Sequence, residues 1–178
     1  MYRTPLSVAA VMALAACSSM ELPTAASLAR GGSSELTRPL KGQCATDVTI
    51  LGIAPDGRLD LRIEYTCRIS HLGLTHNTVI QSVIPTGPPE GGFLPAVISN
   101  TGGYVAANGD RVSSSFTGTG VTNLADFSAV FEGTESFLPG TGRFADASGT
   151  AHIEGTAVLD PATGTGTAQF TLEGTITY

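Results

Sequence analysis

The chain has 178 residues, with 9 basic and 15 acidic side chains and a formal net charge of −6 at pH 7. An acidic chain without tryptophan and without a Lys/Arg cluster argues against binding to nucleic acid and against electrostatic docking on anionic lipid. The 22 glycines, the frequent threonines and the lack of a long 3.6-residue apolar period favour β structure over helices.

The first predicted element is an export signal that is not part of the fold. A short positive region containing Arg3 precedes an apolar run from Leu6 to Ala16. This run is too short to span a bilayer as a stable helix, and its small residues are typical of a cleaved signal. Residues 1–16 are therefore predicted to be a signal peptide.

The apolar run ends in Leu14-Ala15-Ala16-Cys17, which resembles the lipobox of bacterial lipoproteins. The resemblance implies lipid attachment at Cys17, and Ser18 in place of an aspartate implies sorting to the periplasmic face of the outer membrane. An ordinary signal peptide with a chance cysteine at its cleavage site is the alternative. Residues 17–41 are then predicted to be the lipidated cysteine and a flexible tether, and residues 42–178 a single domain.

Two alternating apolar segments flank the turn sequence APDG at 54–57. Pro, Asp and Gly at the last three positions are typical of a type I turn. A four-residue loop pairs Ile53 with Arg58 and, further along, places Cys44 opposite Cys67. A two-residue turn would leave the cysteines one diagonal apart. An even pair of cysteines in an exported protein favours a disulfide, so we predict a Cys44–Cys67 bond.

The motif apolar–Glu–Gly–Thr occurs three times between residues 131 and 175. Strand alternation places each motif glycine on an apolar face and each glutamate on the opposite face. Glycines on an inner face relieve crowding where a sheet closes or bends. Glu132, Glu154 and Glu173 are therefore expected to point outward into solvent, with a surface cation site as the alternative.

Eight strands are predicted along the chain, joined mostly by short turns such as Asn108-Gly109. They cover residues 45–53, 58–68, 74–84, 101–107, 110–119, 126–137, 149–159 and 165–178. This count favours an all-β fold with a single antiparallel, eight-stranded, calycin-like β-barrel, and a two-sheet β-sandwich is the alternative. The proline-rich segment 85–97 is predicted to be a flap on the barrel rim.

Five short, turn-rich motifs stand out in the second half of the chain: SHLG at 70–73, AANGD at 106–110, FTGTG at 116–120, LPGTGRFADASGT at 138–150 and the closing EGTITY. Together they resemble a group of small secreted bacterial proteins that are similar to the allene oxide cyclase and dirigent barrels. The resemblance covers about residues 70–178 and implies the barrel fold more than an activity. Arg143 and Phe144 are expected to pin the 138–150 loop to the barrel, with Phe144 as a plug at its end.

Few residues indicate a catalytic or metal site. The match of GTGRFA at 140–145 to a dinucleotide-binding fingerprint lacks a βαβ unit, and no Gly-x-Ser-x-Gly turn presents a nucleophile. No spacing of His71, His76 and His152 resembles a zinc motif. His71 lies at a strand corner, where a bond to backbone is favoured over a role as base. The sequence therefore predicts no catalytic residue, metal or cofactor.

Two hypotheses for function follow, because an eight-stranded barrel can hold one small ligand. The first is a non-catalytic, lipid-anchored barrel of the cell envelope that binds a small apolar ligand or acts as an interaction module. Its candidate ligand contacts are Tyr65, His71, Phe93, Leu94 and Tyr104. The second is a cyclase- or isomerase-like enzyme with a cofactor-free cavity. It predicts a buried polar residue that faces the lumen near the open end, with Tyr65 and His71 as the nearest candidates.

Overall fold

The computed structural model describes residues 36–178, which form a closed barrel of eight antiparallel strands. The strands are β1 (Thr37–Ile53), β2 (Leu59–Ile69), β3 (Gly73–Pro85), β4 (Phe93–Val105), β5 (Arg111–Asn123), β6 (Ser128–Leu138), β7 (Ser148–Asp160) and β8 (Thr165–Thr177). Each strand pairs with its neighbours in sequence, and β8 returns to pair with β1. The predicted all-β, eight-stranded barrel is confirmed, and the alternative of a two-sheet sandwich is wrong.

The barrel closes because its strands alternate between inward and outward side chains. In β2, every second residue from Leu61 to Ile69 is buried and the residues between them are exposed. The hydrophobic core therefore lies inside the barrel, in the lumen.

Part of the sequence-based interpretation falls outside the described residues. The predicted signal peptide at 1–16, the lipidation site Cys17 and most of the predicted tether belong to this part. Within residues 36–178, the structure has no helix with the length and apolar character needed to cross a membrane.

The first strand begins earlier than the sequence pattern predicted. β1 starts at Thr37, and residues 37–41 pair with β8, so that Lys41 lies opposite Glu173. The prediction of a flexible tether up to residue 41 is therefore wrong for residues 37–41. Leu40 is buried and continues the inner face of the strand, which explains why the pairing extends this far.

The β1–β2 hairpin confirms the predicted disulfide. Cys44 pairs with Cys67 across the two strands, their Cα atoms lie 4.1 Å apart, and their sulfurs are bonded. Val48 lies opposite Ile63 in the same register. The turn chemistry and the apolar alternation together therefore predicted the correct pairing at the cysteine end.

The register differs near the turn itself. The Gly57 N–H donates to the Ala54 carbonyl at 2.9 Å, as the type I turn requires. A bulge follows Ile50, however, and it places Ile53 opposite Leu59 instead of Arg58. The bulge inserts one extra residue into β1, which shifts the pairing between the bulge and the turn.

The predicted flap at 85–97 is shorter than expected. β4 begins at Phe93, so the connection between β3 and β4 is limited to residues 86–92. Pro95 lies within β4, and its carbonyl accepts a hydrogen bond from the Thr86 N–H at 3.0 Å. A proline lacks the N–H but keeps the C=O, so it fits at a strand end where only an acceptor is needed.

The strand predicted over residues 126–137 begins later than expected, so Phe127 is not a strand residue. β6 begins at Ser128, and Phe127 belongs to the preceding turn, where its φ of 55° and its exposed side chain differ from a strand residue. Its N–H donates to the Asn123 carbonyl at 2.8 Å. The N–H of Phe127 is therefore used in the turn, while its carbonyl still accepts a hydrogen bond from the Leu159 N–H of β7 at 3.1 Å.

One end of the barrel is filled by the loops after β2, β4 and β6, and we call it the closed end. Phe144, in the short 3-10 helix Gly142–Phe144, is fully buried, and its ring centroid lies 4.7 Å from that of Tyr178. The Arg143 guanidinium lies 4.7 Å above the Phe144 ring and donates a hydrogen bond to the His71 carbonyl at 2.5 Å. The predicted plug is confirmed.

The opposite end carries the loops after β1, β3, β5 and β7, and we call it the open end. Inward-facing residues beside these loops are only half-buried: Ile50, Leu59, Val83, Leu159 and Ala168. Solvent or a ligand can therefore reach the lumen from this side.

Candidate functional site

A cavity of about 120 Å³ lies in the lumen towards the open end. Aliphatic side chains form much of its wall, including Leu61, Ile98 and Ile153, and the rings of Phe116 and Phe170 also line it. An engineered apolar cavity of roughly 150 Å³ stays dry and binds benzene, so a cavity of this size is large enough for a small ring.

Small side chains leave this space open. Ala129, Ala157 and Ala168 lie in one row across β6, β7 and β8, where Ala129 pairs with Ala157 and Ala157 pairs with Ala168. All three line the cavity. Larger residues in this row would fill it.

The motif glycines and glutamates lie where the sequence predicted. A Cβ atom at Gly155 would lie 2.6 Å from the Phe131 ring, so glycine at this inward position makes room for the ring. Glu132, Glu154 and Glu173 are exposed on the outer face. No group of three His, Cys, Asp or Glu residues within 36–178 could hold a metal ion.

Glu135 is a buried acid in the lumen that the sequence analysis missed. It is 4% exposed and lines the cavity. Burial raises the pKa of its carboxyl group from 4.5 to about 6, and hydrogen bonds from Ser114 and Tyr104 oppose the rise. The signal was present, because Glu135 has the same strand parity as the inward-facing Phe131 and Phe137.

Tyr104, one of the predicted ligand contacts, lies beside this acid. It is 3% exposed, and burial, followed by the charge of Glu135, raises the pKa of its hydroxyl well above the ordinary range. The hydroxyl is therefore a neutral hydrogen-bond donor at any physiological pH.

Tyr65 also faces the lumen, but its hydroxyl is already hydrogen-bonded to the backbone. The Tyr65 hydroxyl donates to the Gly103 carbonyl at 2.7 Å, and the Asn77 amide donates to the Tyr65 oxygen at 3.2 Å. Only residues 81–85 of β3 pair with β4, so the Gly103 carbonyl receives no backbone hydrogen bond from β3. The side chains of Tyr65 and Asn77 donate hydrogen bonds to this carbonyl instead, and the Tyr65 ring still lines the cavity.

The polar lining has no positive charge. Glu135 is the one carboxylate among the residues that line the cavity, and no Lys, Arg or His is among them. The other polar groups there include the amides of Gln81 and Asn100, which are hydrogen-bonded to each other at 3.3 Å. The site is thus an apolar pocket with one buried, uncompensated carboxyl group.

The predicted rim contacts lie at the open end, away from the cavity wall. Phe93 is 51% exposed and pairs with Asn123 at the start of β4. Leu94 is half-buried and pairs with Thr122. Of these two, Leu94 has the inward parity of Ala96, so it is the one placed at the mouth.

His71 is not part of the site, and its prediction as a luminal contact is wrong. It is exposed at the closed end, in the turn between β2 and β3, with a φ of 68°. Its Nε2 lies 3.1 Å from the Pro39 carbonyl oxygen. The structural role expected for a corner histidine therefore applies, and it fixes the turn to the start of β1.

Comparisons of this chain with known protein families, with curated proteins and with solved structures returned no match. The geometry of the lumen is therefore the basis for a functional proposal. The features to be explained are the cavity, its access from the open end, and the carboxyl group of Glu135.

Proposed function

We propose that this protein binds a small, largely apolar molecule in the lumen, at the open end of the barrel. The observation that supports the proposal is the cavity of about 120 Å³, walled by carbon side chains and bearing a few polar groups. Small-molecule sites generally combine such an apolar wall with a small number of placed polar groups.

The volume of the cavity limits the size of the chemical group that the lumen can enclose. A single aromatic ring or a short branched chain fits inside, by comparison with the benzene-binding cavity of roughly 150 Å³. A longer molecule extends towards the half-buried rim residues Leu59, Val83 and Leu159.

A variant that fills the cavity tests this proposal. Ala157→Leu adds carbon to the middle of the alanine row, and Thr167→Leu makes a similar addition on the exposed outer face of β8. We expect toluene binding, followed by isothermal titration calorimetry, to be lost in Ala157→Leu and kept in Thr167→Leu. The full chain carrying Cys17→Ser serves as the parent, because it avoids detergent that would enter the lumen.

Native mass spectrometry of the protein purified from its own host provides the complementary test. A bound small molecule that is absent from Ala157→Leu is the expected result. A lumen that is empty and also rejects toluene would contradict ligand binding, and the envelope interaction module would then be the better proposal.

The proposed binding protein is held at the periplasmic face of the outer membrane by lipid on Cys17. The support is Leu14-Ala15-Ala16-Cys17, with its small apolar residues before the cysteine. Cys17→Ser is expected to abolish labelling with palmitate and to release the protein from the membrane fraction prepared without detergent. An unlabelled wild type in the soluble fraction would refute the anchor and leave a secreted barrel.

A second candidate function is a cyclase- or isomerase-like reaction in the same lumen. The observation that favours it is Glu135, whose pKa of about 6 lies close to the range where a carboxyl group can transfer protons at neutral pH. Chemical analysis of the co-purified ligand after prolonged incubation separates the two: conversion that Glu135→Gln abolishes indicates an enzyme, and an unchanged ligand indicates a binding protein.

A further inference from the structure

The buried carboxyl group of Glu135 lacks the positively charged partner that a buried carboxylate usually has. Glutamate is rarely this deeply buried unless it is paired with a cation, because an ionised carboxylate loses its hydration without compensation. Here the hydroxyls of Ser114 and Tyr104 donate hydrogen bonds to it, but they carry no charge. The residues that line the cavity include no Lys, Arg or His.

The strands packed around Glu135 place no cationic side chain beside its carboxyl group. Tyr104 of β4 and Ser114 of β5 face the Glu135 carboxyl group. Phe116, also on β5, lies directly opposite Glu135. On the other side, Ala151 of β7 lies opposite it and does not titrate. Tyr104 and Tyr65, the other titratable residues that line the cavity, are both neutral. Arg38 lies over the Tyr178 ring at the closed end and does not line the cavity.

We infer that the lumen selects ligands that carry a protonated amine on a small apolar body, with the Glu135 carboxylate as the counter-ion. This inference rests on the proposed function, and it adds the chemical class of the ligand. The ammonium group supplies the positive charge that the cavity lining lacks, and the apolar body contacts the carbon side chains near Glu135, such as Phe116, which lies directly opposite it.

The same geometry disfavours acids. A carboxylate ligand would bring a second negative charge into a low-dielectric cavity beside Glu135, where like charges repel strongly. A neutral hydrocarbon forms no ion pair with Glu135 and is not repelled by its charge. The expected order of affinity is therefore amine, then hydrocarbon, then acid, for ligands of equal size.

Three matched probes test this order: benzylamine, toluene and benzoate, each titrated into the full chain carrying Cys17→Ser and followed by calorimetry. At pH 7.5, benzylamine is expected to bind about tenfold more tightly than toluene, since a hydrogen bond to a charged group contributes about that factor. Benzoate is expected not to bind. Benzylamine affinity equal to or below that of toluene would overturn the inference.

The pH dependence gives a second readout that needs no variant. The Glu135 carboxyl group must be ionised to pair with the amine, and an alkylamine stays protonated throughout the range from pH 5 to 8. Benzylamine affinity should therefore increase as the pH rises through about 6 and then level off, whereas toluene affinity should show no such increase. A flat benzylamine profile over this range would contradict the role of Glu135.

Substitution separates the luminal charge from the general charge of the protein. Glu135→Gln removes the carboxylate from the lumen, and Glu132→Gln removes one from the exposed face of the same strand. Glu135→Gln is expected to reduce benzylamine affinity about tenfold and to leave toluene affinity within about threefold. An equal loss of benzylamine affinity in Glu132→Gln would overturn the inference.

The outcomes also distinguish this inference from the proposal it rests on. Toluene binding without a preference for benzylamine leaves the apolar ligand site standing and overturns the amine class. Failure of both probes to bind overturns the two together. If Glu135→Gln does not fold, the order of the three probes and the pH profile of the parent chain still decide the question.

Discussion

Ionising a carboxyl group inside an apolar lumen is unfavourable, because the group leaves water without gaining a cation. For Glu135, burial is the largest cause that raises its pKa from 4.5 to about 6. Between these values the folded protein holds a proton that the unfolded chain has released. The stability linked to this proton is present below about pH 4.5 and is lost as the pH rises through about 6.

Glu135→Gln should therefore change the pH dependence of stability. A neutral amide does not lose a proton, so the free energy of unfolding of the variant, relative to wild type, should increase by about 2 kcal/mol between pH 4 and pH 8. Urea denaturation of both proteins in the absence of ligand measures this difference. A constant difference across the range would show that Glu135 is not held in an unfavourable environment.

The position of Glu135 was predictable, but its surroundings were not. Strand alternation places it inward because Phe137 lies two residues further on the same face. Because acidic residues are usually exposed, the residue type alone suggested that Glu135 points outward. Tyr104 and Ser114 approach it from other strands, and that approach depends on a register across β4, β5 and β6 that no single turn in the sequence specifies.

At the scale of the strands, prediction succeeded where two signals agreed. The turn sequence at 54–57 and the apolar alternation of its flanks both placed Cys44 opposite Cys67, and the structure has that pair. Prediction failed at β4, whose first residues were assigned to the proline-rich flap at 85–97, although the Pro95 carbonyl still accepts a hydrogen bond from the Thr86 N–H. A proline rule based on the missing N–H does not account for strand ends that need only an acceptor.

The disulfide is expected to contribute substantially to the stability of the barrel. The two cysteines are separated by 23 residues in sequence, and closing a loop of this size contributes about 3 kcal/mol in the chain-entropy model. Replacing Cys44 and Cys67 together with alanine should lower the free energy of unfolding in urea by about that amount. Wild type under reducing conditions is the control and should lose a similar amount, while an unchanged value in both would contradict the assignment.

At the scale of the whole molecule, the number of strands was predictable and the contents of the lumen were not. Eight alternating segments with short connections indicate a small barrel, and the structure is one. Whether such a barrel is filled depends on the summed volumes of inward side chains from all strands. In this protein Phe144 fills the closed end, whereas Ala129, Ala157 and Ala168 leave a cavity near the open end.

The central claim is that a ligand enters this cavity, and methyl NMR of the alanine residues tests it most directly. On titration with toluene, the methyl signals of Ala129, Ala157 and Ala168 should shift together along one binding curve, because these residues line the cavity. Ala147, buried at the closed end, and Ala45, exposed on β1, should not follow that curve. Shifts confined to Ala45 and other exposed residues, or no shifts at all, would contradict a binding site in the lumen.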